Sequence, residues 1–549
     1  MFARICSSIF LMFIAIPGGQ AQGQFEGPVK LPVGNGFGQI GVEAAPNEEC
    51  RGPAAVTPAP GGRLAILDGV NQKIVVAGGD AIEEVKLPAD LLDPVDLIST
   101  TNGYLVVGAL GDVALISSTG EVSTRLLTQY NPELGAPRIT VLSSGQLVLE
   151  DLNGTKIPIE ISQQILGSIS DPGIVAAASF TKEEEGDAEK VVLTSNNPST
   201  QIRKISITSN IRIVDVRTLW ASESDGAIVA LQEARKEPQE ASFVRLLVIN
   251  EQGEPTSESY LGPDTFGCNI RRPFTRLTNG DIVGLSFGTD KYVTIKAIPL
   301  KPVGTSKPQA ILRSPDVGLI ASEQDIFKKL EELNGTPSIG LIALQKVTRE
   351  SILEKARMAL ELKWHMHSKN YSHAGVHSKC SPPSNVWHRP SRLDNLLDKE
   401  VTSIPYRWGG YAKSLDTFKK HLEDGKLAGS DCTCRNANCV YPNSTGLDCS
   451  GFVSYVWQTN NYFTTSSLPK PTVSTPVKWA DLSPGDIVNK AGSHVRLVER
   501  AASGPSGRFI TVIESAANAS CGGVCRRSYP ESELVRQGYK PLKRLDLAN

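Results

Sequence analysis

Gly446-Leu447-Asp448-Cys449-Ser450-Gly451-Phe452-Val453-Ser454 is the stretch from which the rest of the chain can be read. A polar loop passes into a run whose apolar residues Phe452, Val453, Val456 and Trp457 share one helical face, so a helix is predicted to begin beside Cys449. A cysteine at a helix N-terminus lies at the positive end of the helix dipole, which stabilises its thiolate. Backbone N–H groups of a first turn lack intrahelical acceptors and can bind an oxyanion. Ser450 and Gly451 are small enough to let a substrate approach, and Asp448 is placed to cap the helix or shape the loop. The pattern predicts a nucleophilic thiol.

Downstream, Leu482-Ser483-Pro484-Gly485-Asp486-Ile487-Val488 leads into Ser493-His494-Val495 and then Ile513-Glu514-Ser515. His494 opens an apolar strand, and a second strand, 509–514, follows a loop rich in glycine, serine and proline. A hairpin centred on Gly504 would set Val498 opposite Ile510 and His494 opposite Glu514, so that a carboxylate orients the imidazole. Ser515 or Asn518 takes that place if the register slips. Upstream stands Ile404-Pro405-Tyr406-Arg407-Trp408-Gly409-Gly410.

In this order the three motifs resemble the NlpC/P60 family of papain-like cysteine peptidases, many of which cleave peptide or amide bonds in bacterial peptidoglycan. The resemblance covers a core of 404–549 in a domain of 346–549. It implies an α+β papain-like fold with Cys449 as nucleophile, His494 as base and no cofactor. The family's third polar place, often a histidine, corresponds to Glu514. Tyr406 corresponds to a phenol near the nucleophile that bonds substrate or oxyanion; the alternative is an aromatic packed beside Trp408. One departure stands out. Between Gly410 and Asp448 the chain inserts a predicted helix, 415–423, and Cys432, Cys434 and Cys439. An insert beside the nucleophile can reshape the cleft, so a non-wall peptide, an isopeptide or a lipid-linked amide stays open as substrate. A non-enzymatic propeller protein with a relic hydrolase domain is a third reading.

The N-terminal half repeats itself. Thr101-Asn102-Gly103-Tyr104-Leu105-Val106, Ser143-Ser144-Gly145-Gln146-Leu147-Val148, Ser224-Asp225-Gly226-Ala227-Ile228-Val229 and Thr278-Asn279-Gly280-Asp281-Ile282-Val283 share one pattern. Gly61-Gly62-Arg63-Leu64-Ala65-Ile66 is a looser copy, and Glu189-Lys190-Val191-Val192-Leu193 stands where a sixth is due. Each copy is a polar turn opening into a strand, usually followed by another, such as 73–76 or 113–116. One such unit cannot bury both faces of a small sheet, so the units must stack. The period resembles a six-bladed β-propeller over 46–300, and Asp68-Gly69-Val70-Asn71-Gln72-Lys73-Ile74 resembles the blade turns of NHL-type or YVTN-type propellers. A β-sandwich is the alternative. The repeats carry no catalytic constellation and read as a scaffold or binding surface for a protein or wall partner.

Arg4, the short apolar run 5–16 and the small residues up to Ala21 read as a signal peptide, 1–21, which makes the protein secreted or periplasmic. A retained N-terminal anchor is the rival reading. No other stretch is long and apolar enough to span a bilayer. A net charge of -2 supplies no field for nucleic acid. Export lets disulfides persist. Without Cys6 and the reactive Cys449, Cys50 and Cys268 would pair with each other and tie the propeller ring. Cys380, Cys432, Cys434, Cys439, Cys521 and Cys525 would make three bridges of open connectivity, with a metal knuckle as the alternative for the middle three. Residues 301–345 read as a linker with a short helix capped at Ser322, and a longer helix is predicted from Arg349 to Lys363. His365, His367, His373, His377 and His388 crowd one polar segment, but their spacing matches no known metal pattern, so no metal is expected there.

Overall fold

The computed structural model describes residues 27–43, 49–79, 81–142, 146–169, 179–185, 188–194, 204–209, 212–222, 226–234, 242–250, 252–261, 272–277, 279–287, 292–305, 328–332, 334, 347–371, 388–431, 440–459, 461–504 and 507–548. The expected signal peptide, Cys268, Cys380, Cys432, Cys434, Cys439, His373, His377 and the start of the linker helix lie outside them. The chain is mostly β with few helices.

Between residues 29 and 302 the described backbone forms six antiparallel sheets in succession. The first contains Ala55–Ala59, Arg63–Asp68, Lys73–Gly78 and Ala81–Lys86. The second contains Pro94–Thr100, Gly103–Gly108, Asp112–Ile116 and Val122–Leu127. Three strands make the third (Arg138–Val141, Leu147–Glu150, Lys156–Pro158) and three the fourth (Ser179–Glu185, Ala188–Thr194, Lys204–Ser209). The fifth runs Arg212–Ser222, Gly226–Ala234, Ser242–Ile249 and Pro255–Leu261, with Lys301–Pro302 added at its edge. The sixth contains Phe274–Arg276, Ile282–Phe287, Tyr292–Ala297 and, from the start of the chain, Val29–Pro32.

Every copy of the sequence pattern is the second strand of its sheet. That strand is paired on both edges, and in the first two sheets it is also covered on both faces, which demands a continuous apolar run rather than alternation. Leu64, Ala65, Ile66 and Leu67 are all buried, as are Tyr104, Leu105, Val106 and Val107. Two short strands lie outside the expected 46–300. Val29–Pro32 pairs with Tyr292–Ala297 in register Val29↔Ile295 to Pro32↔Tyr292, and Lys301–Pro302, in the expected linker, pairs with Ser257 and Glu258.

Arg272 joins several sheets at one point. Its backbone bonds Ala54, just before the first sheet, and Val56 within it (3.1 and 3.0 Å), and its guanidinium donates two 2.8 Å hydrogen bonds to Asp96 at the start of the second. Asp96 also accepts from Ile139 N–H of the third, at 2.8 Å. Burial pushes the Asp96 carboxyl up, but the Arg272 charge and hydrogen bonds outweigh it and hold it below its ordinary value.

The C-terminal part begins with a helix, Arg349–Leu360, whose N-terminus is capped by the Thr348 side chain. It ends three residues before the predicted Lys363, which instead opens a strand, Lys363–His365. A second helix, Cys449–Val456, packs on a six-stranded antiparallel sheet. The strand order is Ser474–Pro476, Lys540–Arg544, Ile487–Lys490, His494–Gly504, Gly507–Ala516, Gly523–Pro530. Ile352, Ala356, Phe452, Val453, Val495, Leu497 and Ile513 share one core between helices and sheet. The predicted insert helix is found at Leu415–Glu423, capped by Ser414. Cys521 and Cys525 form a disulfide, and Cys50 is disulfide-bonded. Among the described residues no helix is long and apolar enough to cross a membrane.

Candidate active site

The first and second motifs are fitted together by their backbones. Tyr406 bridges Leu447 in parallel, Leu447 N–H donates to Pro405 (3.1 Å), Arg407 N–H to Leu447 (3.2 Å) and Asp448 N–H to Gly410 (3.0 Å). A Cβ on Gly451 would meet the Gly410 carbonyl oxygen at 1.9 Å, so the paired glycines of one motif and the glycine of the other are one packing requirement. Gly446, at φ +157, would place a Cβ 2.4 Å from the Pro405 oxygen. This clamp sets where the helix begins.

Cys449 is its first residue and keeps its thiol. Asp448 is the N-cap, its Oδ1 accepting from Gly451 N–H at 2.5 Å. Ser450 lies buried in the same cap, its hydroxyl 3.1 Å from both Asp448 Oδ1 and the Tyr462 phenol, while Tyr462 donates to Asp448 Oδ2 at 2.6 Å. Burial and the Asp448 charge push the Tyr462 phenol well above its ordinary value, with Cys449 adding in the same direction. Tyr462 therefore stays neutral and donates. Tyr406 is buried in a cluster with Trp408, Tyr462 and Leu330. Cys449 itself is fully buried in this conformation.

His494 begins its strand, and Asp486 braces the turn before it, accepting from Ser483 N–H (2.9 Å) and Arg349 (2.8 Å). Nε2 of His494 lies 2.7 Å from Glu514 Oε2. The register behind this contact differs from a hairpin centred on Gly504. Leu497 pairs with Ile513 and Val498 with Val512, with a bulge before Arg500. Continuing that register sets Arg496, not His494, opposite Glu514. The slip is two residues, so His494 and Glu514 keep the same face and meet on the diagonal. Ser515 and Asn518 are engaged elsewhere: the Ser515 hydroxyl donates to the Leu447 carbonyl (2.8 Å), and Asn518 accepts from Cys521 N–H (3.0 Å).

Arg496, Tyr529 and Glu49 gather around the His494–Glu514 pair unannounced by the motifs. Arg496 Nε donates to Glu514 Oε2 at 2.9 Å, and Tyr529 donates to Oε1 at 2.6 Å. Arg496 is fully buried between the Tyr529 and Tyr539 rings, 4.1 and 4.5 Å from their centroids, and its Nη2 donates to Glu49 from the N-terminal part. Burial opposes the guanidinium charge, but Glu49 leads the groups that outweigh it and keep Arg496 protonated. Burial alone would raise the Glu514 carboxyl. Arg496 and the His494 hydrogen bond overcome that and hold it far below the usual carboxylate range. Arg496 could have been found as the residue two beyond His494, on the same strand face. Tyr529 and Glu49 have no local signal. Further contacts join the two parts: Asp93 accepts from Ser520 N–H (2.6 Å), and Glu133 accepts from Arg526 (3.0 Å) and, through its carbonyl, from Ser528 (2.6 Å).

No family model matches this chain, and no curated protein matches it. Among solved structures it is similar to a streptogramin B lyase, at 12% identity and TM-score 0.26, over 50% of this chain and 99% of that one. A virginiamycin B lyase from Staphylococcus aureus with quinupristin matches at 16% identity and TM-score 0.28, over 49% of this chain and 91% of that one. BamB from Moraxella catarrhalis matches at 12% and 0.23, over 51% and 98%. These neighbours are β-propeller-like proteins.

Proposed function

We propose that this chain is an exported cysteine endopeptidase or amidase whose papain-like C-terminal domain hydrolyses peptide or amide bonds, with cell-wall stem peptides as the substrate class. On this reading the six sheets are the blades of a closed propeller that docks the enzyme to the wall or to a partner. The observation that carries the reading is the buried 2.7 Å contact between His494 Nε2 and Glu514, on the sheet against which the Cys449 helix packs. With Nε2 held by the carboxylate, Nδ1 is the ring nitrogen left to exchange a proton with the thiol.

In the proposed reaction His494 takes the Cys449 proton and the thiolate attacks the carbonyl carbon. The positive end of the helix at Cys449 stabilises the oxyanion. The C–N bond breaks as His494 returns the proton to the leaving amine. Water, deprotonated by His494, then attacks the thioester, releasing the carboxylic acid and restoring the thiol. Glu514 holds the imidazole tautomer and stabilises the imidazolium, and Arg496 with Tyr529 keeps Glu514 ionised and oriented. Because Cys449 is buried, turnover requires a conformation in which substrate reaches it.

Incubating the mature protein with peptidoglycan, and separately with mixed peptides, tests this by mass spectrometry of the products. New amine and carboxyl ends from peptidoglycan support the wall reading. Cleavage of the mixed peptides alone keeps the chemistry and moves the substrate; no cleavage of either refutes the proposal.

A further inference from the structure

The histidine-rich segment is not used by the proposed hydrolase, and two of its histidines stand in a defined place. Lys363–His365 pairs antiparallel with Glu400–Thr402, with Trp364 opposite Val401 and His365 opposite Glu400. The pairing continues as Met366 N–H donates to Lys399 (3.0 Å) and Asp398 N–H to Met366 (2.8 Å). Trp364 and Met366 are buried in the domain core, so the strand alternation turns His365 and His367 outward on one face. Their ring centroids are 4.7 Å apart. Asp398 faces them from the turn that returns the chain. One donor atom from each of the three residues lies within 4.8 Å of the others.

We infer that His365, His367 and Asp398 bind one divalent transition-metal ion of the imidazole-preferring class, Zn2+ foremost. This departs from the reading of the spacing as metal-free. A His-x-His pair on an extended strand delivers two nitrogens to one side, and the carboxylate supplies the third donor. Zn–N and Zn–O bonds of about 2.0–2.2 Å place tetrahedral donors roughly 3.3–3.5 Å apart, so closure from 4.8 Å needs side-chain rotation rather than backbone movement. Two imidazoles favour Zn2+, Ni2+ or Cu2+ over Mg2+ and Ca2+, which prefer all-oxygen sets. The exposed face leaves the remaining positions to water or a ligand. The metal would brace residues 365–367 against Asp398, at the base of the Glu400–Thr402 strand. That strand leads into Tyr406, whose backbone is bonded to Gly522 and bridged to Leu447. The inference stands independently of the hydrolase reading.

The test is Zn2+ titration of the full chain by calorimetry, for the natural protein, H365A/H367A and D398N, with Cu2+ electron paramagnetic resonance on the same samples. The three side chains are exposed, so the variants should unfold at the natural temperature without metal. The expected result is one more bound equivalent in the natural protein than in H365A/H367A, an affinity lowered roughly tenfold or more in D398N, and a two-nitrogen copper signal that the double variant loses. Equal stoichiometry and affinity in all three proteins, or a preference for Mg2+ or Ca2+, would overturn the inference.

Discussion

Two buried arginine–carboxylate pairs, one in each half of the molecule, use the same chemistry to different ends. Arg272 grips Asp96 through both nitrogens, and Asp96 takes its other hydrogen bonds from the backbone N–H groups of Ile139 and Leu97. Every partner there is a permanent donor, and the pair fixes where sheets meet. Arg496 gives Glu514 a single hydrogen bond, and the carboxylate shares its remaining capacity with the His494 imidazole and the Tyr529 phenol. Both carboxyls are held below their ordinary values against burial. The difference is the imidazole, whose second ring nitrogen can pass a proton on to another group. A closed network positions; one that ends on a titratable ring can serve chemistry.

The comparison breaks most sharply at Cys449. Cys449→Ala should lower turnover on any cleaved substrate by on the order of 10^4-fold or more, with circular dichroism unchanged, because the thiol is in no structural bridge. Next comes Glu514→Gln, which keeps size but removes the charge behind the imidazolium. Turnover should fall on the order of 10^3–10^4-fold with little change in KM. Its acid stability profile carries a sign. Because the native Glu514 carboxyl lies below its ordinary 4.5, its contribution is complete above that pH and is lost as pH falls toward the native value. Denaturant titrations from pH 7 to 3 should show a shallower acid decline in the glutamine variant than in the natural protein. A parallel decline would place the carboxylate outside the network.

Arg272→Met sharpens the other side. Removing one partner of a buried pair should cost about 3–5 kcal/mol of stability, read by chemical denaturation, while turnover per folded molecule is unchanged. Loss of turnover in fully folded protein would mean that the two pairs are not separate in role. Glu49→Gln should have the smallest effect. It keeps an acceptor for Arg496 but removes the carboxylate charge, which should cost at most about 1.5–3 kcal/mol, and should lower Tm modestly and kcat by roughly tenfold. An unchanged kcat would confine Glu49 to docking the two halves.

The parts of this molecule that local pattern exposes are those whose environment is uniform along the segment. The second strands of the first two sheets are buried on both faces, so their apolar runs and preceding turns are visible in isolation. Val29–Pro32 has only four residues, and its place is decided by a partner at the far end of the repeats. The Cys449 motif is legible because the Gly410–Gly451 contact and the Asp448 cap both demand particular residue types. The His494 hairpin was readable as to face but not register: the bulge before Arg500 carries no glycine to mark it, and an even slip leaves the same side chains inward. Arg496 was within reach of period-two reasoning. Glu49 was not, since its role exists only once the two halves are packed together.

The most direct measurement is intact-mass and peptide-mapping analysis of the folded protein after brief exposure to an activated ester such as p-nitrophenyl acetate. An acyl group on Cys449 of the natural protein, formed much faster than in His494→Ala and absent from Cys449→Ala, is the result predicted here. Equal acylation in the natural and His494→Ala proteins, or a Cys449 that stays unmodified while the ester is consumed elsewhere, would contradict the assignment of a thiol nucleophile served by His494.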